Sequence, residues 1–164
     1  MGIITSDAYL ASLAKQKPVV MIGGEKVRDV VDSPYFRITL EEMCKFYDWA
    51  NDERTAADFT FRSHLIDEPV SFWTHLRETP EDVRRMIETM KAQNARHFCS
   101  MCMITGLNVL WAVTYDIDRS RGTCYHERLK AFFRELQTND FRYCMGVMDP
   151  KGDRSLAPSA QADP

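Results

Sequence analysis

One stretch of the sequence, residues 97–113, constrains the fold more than any other, because it is apolar nearly all the way round a helix. Apolar residues recur there at helical spacing, at Phe98, Cys102, Leu107, Leu110 and Trp111. A helix that is apolar on several sides has to be buried on several sides, as it is at the centre of a helical bundle. The sequence therefore predicts a mainly α fold.

Further helices are predicted on both sides of this stretch from their capping residues. The first begins at Thr5 or Ser6, either of which can cap it, and ends before Pro18. A second begins at Thr39, because Glu42 follows three residues later and completes a capping box.

The helix start at Thr79 is the strongest in the chain. Pro80 and two acidic residues follow it, and acidic side chains in a first turn face the positive end of the helix dipole. A last amphipathic helix is predicted over residues 125–136, after a polar linker at 118–122. Four of its residues are predicted to point inward: Leu129, Phe132, Phe133 and Leu136.

The segments between these helices have weaker patterns. Residues 19–31 indicate a small β-hairpin that turns at Gly23 and Gly24. Residues 54–68 are predicted to be irregular, and a short helix is predicted after Pro69. That helix would bring three large residues onto one side: Phe72, Trp73 and Leu76.

Length and composition indicate one ordinary globular domain. The 164 residues are 45% hydrophobic, which is enough for a core, and the net charge of −3 gives no electrostatic case for binding nucleic acid or an anionic membrane. No apolar run approaches the roughly 18 residues that span a bilayer. The N-terminus has no secretory signal, and the five irregularly spaced cysteines suit reduced thiols in the cytoplasm.

A turn near the C-terminus, Asp149–Ser155, carries the densest group of polar residues. Pro150 and Gly152 favour a turn, and three donors lie in it beside the carboxylates of Asp149 and Asp153. The donors are Lys151, Arg154 and Ser155. Such a turn can bind an anionic ligand or one that accepts several hydrogen bonds, and it can equally be a solvated charged loop.

This turn also carries a family resemblance. DPKGDRSLAPS, together with TYDID at 114–118 and YHERLKAFF at 125–133, resembles the flavoprotein family of 4-hydroxyphenylacetate 3-hydroxylase and 4-hydroxybutyryl-CoA dehydratase. Members combine a helical N-terminal domain, a central β-domain and a C-terminal helical domain in an acyl-CoA dehydrogenase-like fold. The resemblance implies that residues 1–147 form the N-terminal domain. Residues 148–164 would form a flavin-contacting turn and a linker into a β-domain that this chain lacks.

The resemblance implies FAD as the cofactor. Carried over position by position, the residues that would line the flavin or the CoA phosphates are Asp149, Lys151, Gly152, Asp153, Arg154 and Ser155. The alternative is a solvated loop that links two domains.

The dehydratase branch of the family holds an iron–sulfur cluster partly through two cysteines of the central helix, spaced C-x-x-x-C. Here Cys99 and Cys102 are spaced C-x-x-C, and the positions of the cluster cysteines fall on His97 and Met101. The spacing therefore argues against a cluster, and the two cysteines suit small core residues among methionines.

The hydroxylase branch has a histidine shortly before the turn that contacts the phenolic substrate, and this sequence has Met145 there. Arg96 occurs in different surroundings from the branch's substrate arginine, and no matching tyrosine is found. His126 is predicted to have a surface or hinge role, and no partner is evident for His64 or His75. Neither branch's catalytic set is complete.

Two functions stay open. The first is the N-terminal part of an FAD-dependent oxidoreductase-like enzyme, acting on an acyl-CoA or a phenolic acid and inactive as this chain alone. Its partners would be the missing β-domain and C-terminal helical domain, or a chain that supplies them, in a cytoplasmic homo-oligomer. The second is a catalytically silent helical module that docks on a partner chain.

Overall fold

The computed structural model describes residues 2–94, 101–143, 152–153 and 155–161, with the backbone alone for 93–94, 101–104 and 158. These residues form six α-helices and two small antiparallel sheets. The helices are α1 Ser6–Gln16, α2 Arg37–Asn51, α3 Ala56–Phe59, α4 Pro80–Asn94, α5 Met101–Arg121 and α6 Tyr125–Thr138. The strands are β1 Met21–Ile22, β2 Glu25–Lys26, β3 Thr60–Arg62 and β4 Pro69–Ser71. The predicted mainly α fold with a small hairpin is confirmed.

The hairpin of β1 and β2 turns at two glycines, as predicted. Met21 pairs with Lys26 and Ile22 with Glu25. Gly23 and Gly24 have φ angles of 58° and 86°, in the left-handed region that a tight two-residue hairpin turn requires.

Two of the three predicted helix starts are confirmed. The Ala8 N–H donates to Thr5 Oγ1 at 3.2 Å, so Thr5 caps α1. Thr79 caps α4 through a reciprocal pair, because the Asp82 N–H donates to Thr79 Oγ1 and the Thr79 N–H donates to Asp82 Oδ2. The predicted cap at Thr39 is wrong. The helix there begins at Arg37, because a turn over residues 33–36 runs directly into it.

Residues 54–68 are irregular only in part, and the segment that begins at Pro69 is a strand instead of the predicted helix. The first segment holds α3 and β3, and β3 pairs with β4 through Phe61 and Val70, both buried. Strands of three residues are too short for a period of two to stand out in the sequence. Phe72, Trp73 and Leu76 are nonetheless buried, in the segment after β4.

Helix α5 is longer and more exposed than predicted. It continues through Arg121, so the polar linker predicted at 118–122 is wrong. Leu107 is buried against α6, whereas an outward strip of α5 is about half exposed. The strip consists of Val109, Leu110 and Val113.

The core has two parts. An aromatic cluster lies between α2, α3 and the second sheet, and it includes Phe46, Tyr47, Phe59, Phe72 and Trp73. A smaller cluster joins α5 and α6 through Leu76, Leu107, Phe133 and Leu136. Phe132 is 46% exposed, contrary to prediction, because it projects about 100° round the helix from the buried Phe133. No helix among the described residues is long and apolar enough to cross a membrane.

Candidate functional site: the C-terminal turn and the segment leading to it

The described part of the C-terminal turn is held by its own hydrogen bonds. Asp153 Oδ1 accepts from the Ser155 N–H at 2.9 Å and from Ser155 Oγ at 2.7 Å, and these bonds lower the pKa of Asp153. Gln161 Nε2 donates to the carbonyl of Asp153 at 2.7 Å. The Gln161 amide also lies where a Cβ on Gly152 would be, so a larger residue there would require the Gln161 side chain to move.

These hydrogen bonds define the conformation of the described part of the turn. Ser155 donates to Asp153 with both its N–H and its hydroxyl, so these two residues satisfy each other. Gly152, Asp153 and Ser155 are exposed, so they fit a preorganised contact surface. Cationic donors for an anionic ligand would come from Lys151 and Arg154, which lie outside the described residues, as does Asp149.

The chain enters this region from the end of α6, which closes with a Schellman motif. The Phe141 N–H donates to the Leu136 carbonyl at 3.0 Å, and the Asp140 N–H donates to that of Gln137 at 3.4 Å. Asp140 takes the left-handed position, with φ of 49°. Glycine is usual at that position, so a specific role for the aspartate side chain is expected.

The Asp140 carboxylate anchors the end of α6 in the core. It is fully buried, and it accepts from Ser71 Oγ at 2.6 Å and from the Ile4 N–H at 3.3 Å. Burial raises the pKa of Asp140, and the hydrogen bonds oppose that rise. The end of α6 is thereby tied to β4 and to the segment before α1.

Two residues further on, the Arg142 guanidinium packs in a box of three aromatic rings. Its Cζ lies 3.4 Å from the ring centroid of Trp73, 4.7 Å from that of Tyr47 and 4.8 Å from that of Phe46. Arg142 Nε donates to the Tyr47 hydroxyl at 3.3 Å, and that hydroxyl donates to the Asp140 carbonyl at 3.5 Å. Burial lowers the pKa of Arg142.

Neither Asp140 nor Arg142 stood out in the sequence. In the sequence, Asn139-Asp140 indicates only the end of a helix, because both residue types tolerate the left-handed conformation that is common there. The partners of Arg142 lie about 70 to 95 positions earlier in the chain, so no local pattern indicates the box.

Two of the resembling segments, TYDID and YHERLKAFF, meet at the junction of α5 and α6. Asp118 accepts from the N–H groups of Tyr125 at 2.9 Å and His126 at 2.7 Å, and from Thr123 Oγ1. Burial alone would raise the pKa of Asp118, yet these hydrogen bonds lower it. His126 is buried, with Nδ1 3.0 Å from Thr114 Oγ1. The predicted surface role of His126 is wrong, because its partner lies on the preceding helix.

Two other histidines, His64 and His75, have carboxylate partners that the sequence did not reveal. His64 Nδ1 lies 3.1 Å from Glu78 Oε2, and His75 Nε2 lies 3.2 Å from Asp82 Oδ1. Both contacts are structural, because Asp82 caps α4 and Glu78 immediately precedes the cap.

The predicted metal candidates cannot be placed. Cys99 lies outside the described residues, together with Arg96, His97 and Met145, and the side chain of Cys102 is not described. Among the residues whose positions are described, no three of His, Cys, Asp and Glu come together as a metal site.

Residues 5–164 match the family described as 4-hydroxyphenylacetate 3-hydroxylase N terminal. The match extends over the helical domain and the C-terminal turn. The chain belongs to this family.

Two curated relatives are similar to almost the whole chain. The 4-hydroxybutyryl-CoA dehydratase/vinylacetyl-CoA-Δ-isomerase of Clostridium aminobutyricum is 32% identical over 165 residues, which is 99% of this chain and 34% of that protein. The oxygenase component of 4-hydroxyphenylacetate 3-monooxygenase of Thermus thermophilus is 24% identical, over 98% of this chain and 33% of that protein. The chain spans about a third of the length of these relatives.

Solved structures have the same fold. An oxygen-tolerant archaeal 4-hydroxybutyryl-CoA dehydratase from N. maritimus superposes with a TM-score of 0.83 at 30% identity, over 99% of this chain and 33% of that one. The oxygenase component of 4-hydroxyphenylacetate 3-monooxygenase, complexed with FAD and 4-hydroxyphenylacetate, gives a TM-score of 0.72 at 21% identity. This match covers 98% of this chain and 33% of that one. The predicted N-terminal domain of an acyl-CoA dehydrogenase-like fold is confirmed.

Proposed function

We propose that the chain is the N-terminal helical part of an FAD-dependent oxidoreductase-like enzyme. Residues 1–147 would form the helical domain, and residues 148–164 would form the flavin-contacting turn and the linker to a β-domain. The remaining walls of the flavin site would come from polypeptide beyond this domain, so the chain alone would have no turnover.

The observation that carries this proposal is the family match, because it includes the turn as well as the helices. The described part of that turn supports it. There Asp153 accepts from the Ser155 N–H, its carbonyl accepts from Gln161 Nε2, and Gly152, Asp153 and Ser155 are exposed. Lys151 and Arg154 would supply the positive charge for a phosphate or a flavin oxygen. FAD would supply the two-electron chemistry, which the turn would tune through its hydrogen-bond donors.

An acyl-CoA is the substrate class we favour over a phenolic acid. The dehydratase relative is 32% identical to this chain, whereas the monooxygenase component is 24% identical. The dehydratase structure also superposes better, with a TM-score of 0.83 against 0.72 for the monooxygenase component. Met145 also stands where the hydroxylase branch would have its substrate histidine. Radical dehydration through an iron–sulfur cluster is not proposed, because Cys99 and Cys102 have a different spacing from the cluster cysteines.

The test is retention of FAD when the missing walls are supplied. The chain is produced together with the C-terminal two thirds of the Clostridium aminobutyricum relative, and flavin absorbance is measured on the purified complex. Arg154→Ala should weaken FAD retention by about 1–3 kcal/mol, as expected for a lost charge-assisted hydrogen bond. Arg119→Ala, at an exposed arginine near the end of α5, is the matched control and should retain FAD. Unchanged occupancy in Arg154→Ala would remove the turn from the flavin site.

A second candidate, a catalytically silent assembly module, is favoured by one observation. The outward strip of α5, formed by Val109, Leu110 and Val113, is about half exposed. Such a strip suits docking on another protein surface. A colourless protein that shifts from monomer to oligomer with concentration and has no flavin affinity would favour this function. Assembly as a homo-oligomer in the cytoplasm is compatible with both, and the free thiols of Cys44 and Cys124 suit a reducing compartment.

A further inference from the structure

We propose that Arg142 is a positioning residue for the C-terminal turn: held in its aromatic box, it fixes the origin of the segment that carries Asp149–Ser155. This inference rests on the proposed function, because its importance lies in where the turn meets the flavin. In the described part of the chain, the side chain of Arg142 contacts Phe46, Tyr47 and Trp73.

The contacts of Arg142 are directional, unlike those of an apolar core residue. The guanidinium lies over Trp73 at 3.4 Å, and its Nε points at the Tyr47 hydroxyl at 3.3 Å. The same hydroxyl donates to the Asp140 carbonyl. One tyrosine oxygen therefore holds both the backbone at Asp140 and the side chain of Arg142. This arrangement fixes the orientation of the chain as well as its position.

An aliphatic side chain would fill the same box without the desolvation penalty of a buried cation. Part of that penalty is left uncompensated here, because in the described part of the chain Arg142 Nη2 is buried with no hydrogen-bond partner. Packing alone therefore does not account for an arginine at this position. A planar group that both stacks and hydrogen-bonds accounts for it, because it defines the path of the chain leaving α6.

The path of the chain after Arg142 affects the position of the turn, because the turn follows Arg142 closely in sequence. Asp149 follows Arg142 by seven residues, so the turn begins within about 25 Å of the box even at full extension. The Schellman motif and the Asp140 carboxylate fix the chain up to residue 141, and Arg142 extends the fixed region by one more contact. Freeing Arg142 would widen the range of positions that the turn can take.

The first test measures backbone protection in the 164-residue chain by hydrogen exchange and mass spectrometry. In the wild type, amides within residues 144–155 should exchange at least about tenfold more slowly than in a free peptide, and Arg142→Ala should remove most of that protection. Arg142→Lys keeps the charge without the planar fork and should give an intermediate result. It also carries the test if the alanine variant does not fold. Val70→Ala, at a fully buried residue of β4, destabilises the core and should leave protection in 144–155 unchanged.

Three results would overturn the inference. In the wild type, the amides of residues 144–155 exchange at the free-peptide rate. Alternatively, Arg142→Lys protects these amides as well as the wild type does, or Val70→Ala loses as much of their protection as Arg142→Ala does. The second test repeats the FAD measurement on the complex, where Arg142→Ala should lower FAD affinity by about threefold to tenfold. If Arg154→Ala releases FAD and Arg142→Ala does not, the Arg142 inference is wrong and the proposed function stands. If neither variant changes FAD affinity, the turn is not part of the flavin site and the Arg142 inference fails with it, whereas a wild-type complex that binds no FAD would overturn the proposed function itself.

Discussion

His75 Nε2 lies 3.2 Å from Asp82 Oδ1, so a buried imidazole contacts the carboxylate that caps α4. The other oxygen of Asp82 accepts from the N–H groups of Glu78 and Thr79 and from the Thr79 hydroxyl. The imidazole stacks on Phe61, with ring centroids 4.6 Å apart. Its Nδ1 is buried without a hydrogen-bond partner in the described part of the chain. One aspartate therefore organises both the helix start and the histidine.

The stability of the domain should fall as the pH drops below neutrality, because of His75. Burial lowers the pKa of His75 below its usual value of 6.5, with the contact to Asp82 opposing that shift. In the unfolded chain the histidine binds a proton below about pH 6.5, whereas the folded domain resists binding it. The contribution of His75 to the free energy of unfolding should therefore be complete above about pH 6.5 and should decline below it.

Urea denaturation at intervals from pH 8 to 5 measures this decline. His75→Gln should flatten the profile in that window, because glutamine does not take up a proton there. A second loss should follow in stronger acid. Burial alone would raise the pKa of Asp82, but hydrogen bonds from Glu78, Thr79 and His75 lower it to about 2. A wild-type profile that is flat from pH 8 to 5 would contradict the role of His75.

Asp118 should be the most sensitive acidic residue of α5, because it accepts from three donors at the start of α6. Asp118→Ala leaves the N–H groups of Tyr125 and His126 without their acceptor, so α6 should fray at its first turn. The melting temperature, followed by circular dichroism, should fall by on the order of 2–4 °C. Asp116→Ala, two residues earlier on the same helix, is the matched control and should melt within about 1 °C of the wild type. Equal melting of the two variants would rule out the capping role.

Asp140 combines two effects that substitution can separate. Asp140→Ala removes the acceptor of the buried Ser71 hydroxyl and places alanine at φ of 49°, so it should destabilise the domain by about 2–4 kcal/mol. Asp140→Gly also loses the acceptor but suits the left-handed conformation. It should therefore be more stable than the alanine variant by about 1 kcal/mol. Urea midpoints of the two variants give the difference, and an alanine variant as stable as the glycine variant would show that backbone strain is not part of the effect.

Features that depend on neighbouring residues could be predicted from this sequence. The Thr79–Asp82 cap and the Gly23-Gly24 turn are confirmed because each is set within four residues. Features that depend on distant partners could not. The pairing of β3 with β4 needs contacts across an intervening turn, and the burial of His126 depends on Thr114 of the preceding helix.

The same limit applies to α5 and to the candidate site. The apolar pattern predicted a helix correctly, but whether Val109 and Val113 are covered depends on surfaces that the pattern does not contain. The resemblance indicated the family and the turn. Its site assignments stay predictions for all six residues: Asp149, Lys151, Gly152, Asp153, Arg154 and Ser155. The aromatic box of Arg142 could not be predicted, because its rings come from α2 and from the segment after β4.

The last prediction concerns the cysteine pair. Cys99 and Cys102 have the spacing C-x-x-C, whereas the cluster cysteines of the dehydratase branch have the spacing C-x-x-x-C and their positions are taken here by His97 and Met101. The pair therefore does not reproduce the two cysteine ligands of that branch. Anaerobic reconstitution with iron and sulfide, followed by analysis of both, should therefore yield no stoichiometric cluster. A Cys99→Ser/Cys102→Ser double variant should bind the same background amount of iron. Stoichiometric iron and sulfide in the wild type that disappear in the double variant would show that the pair binds a cluster after all.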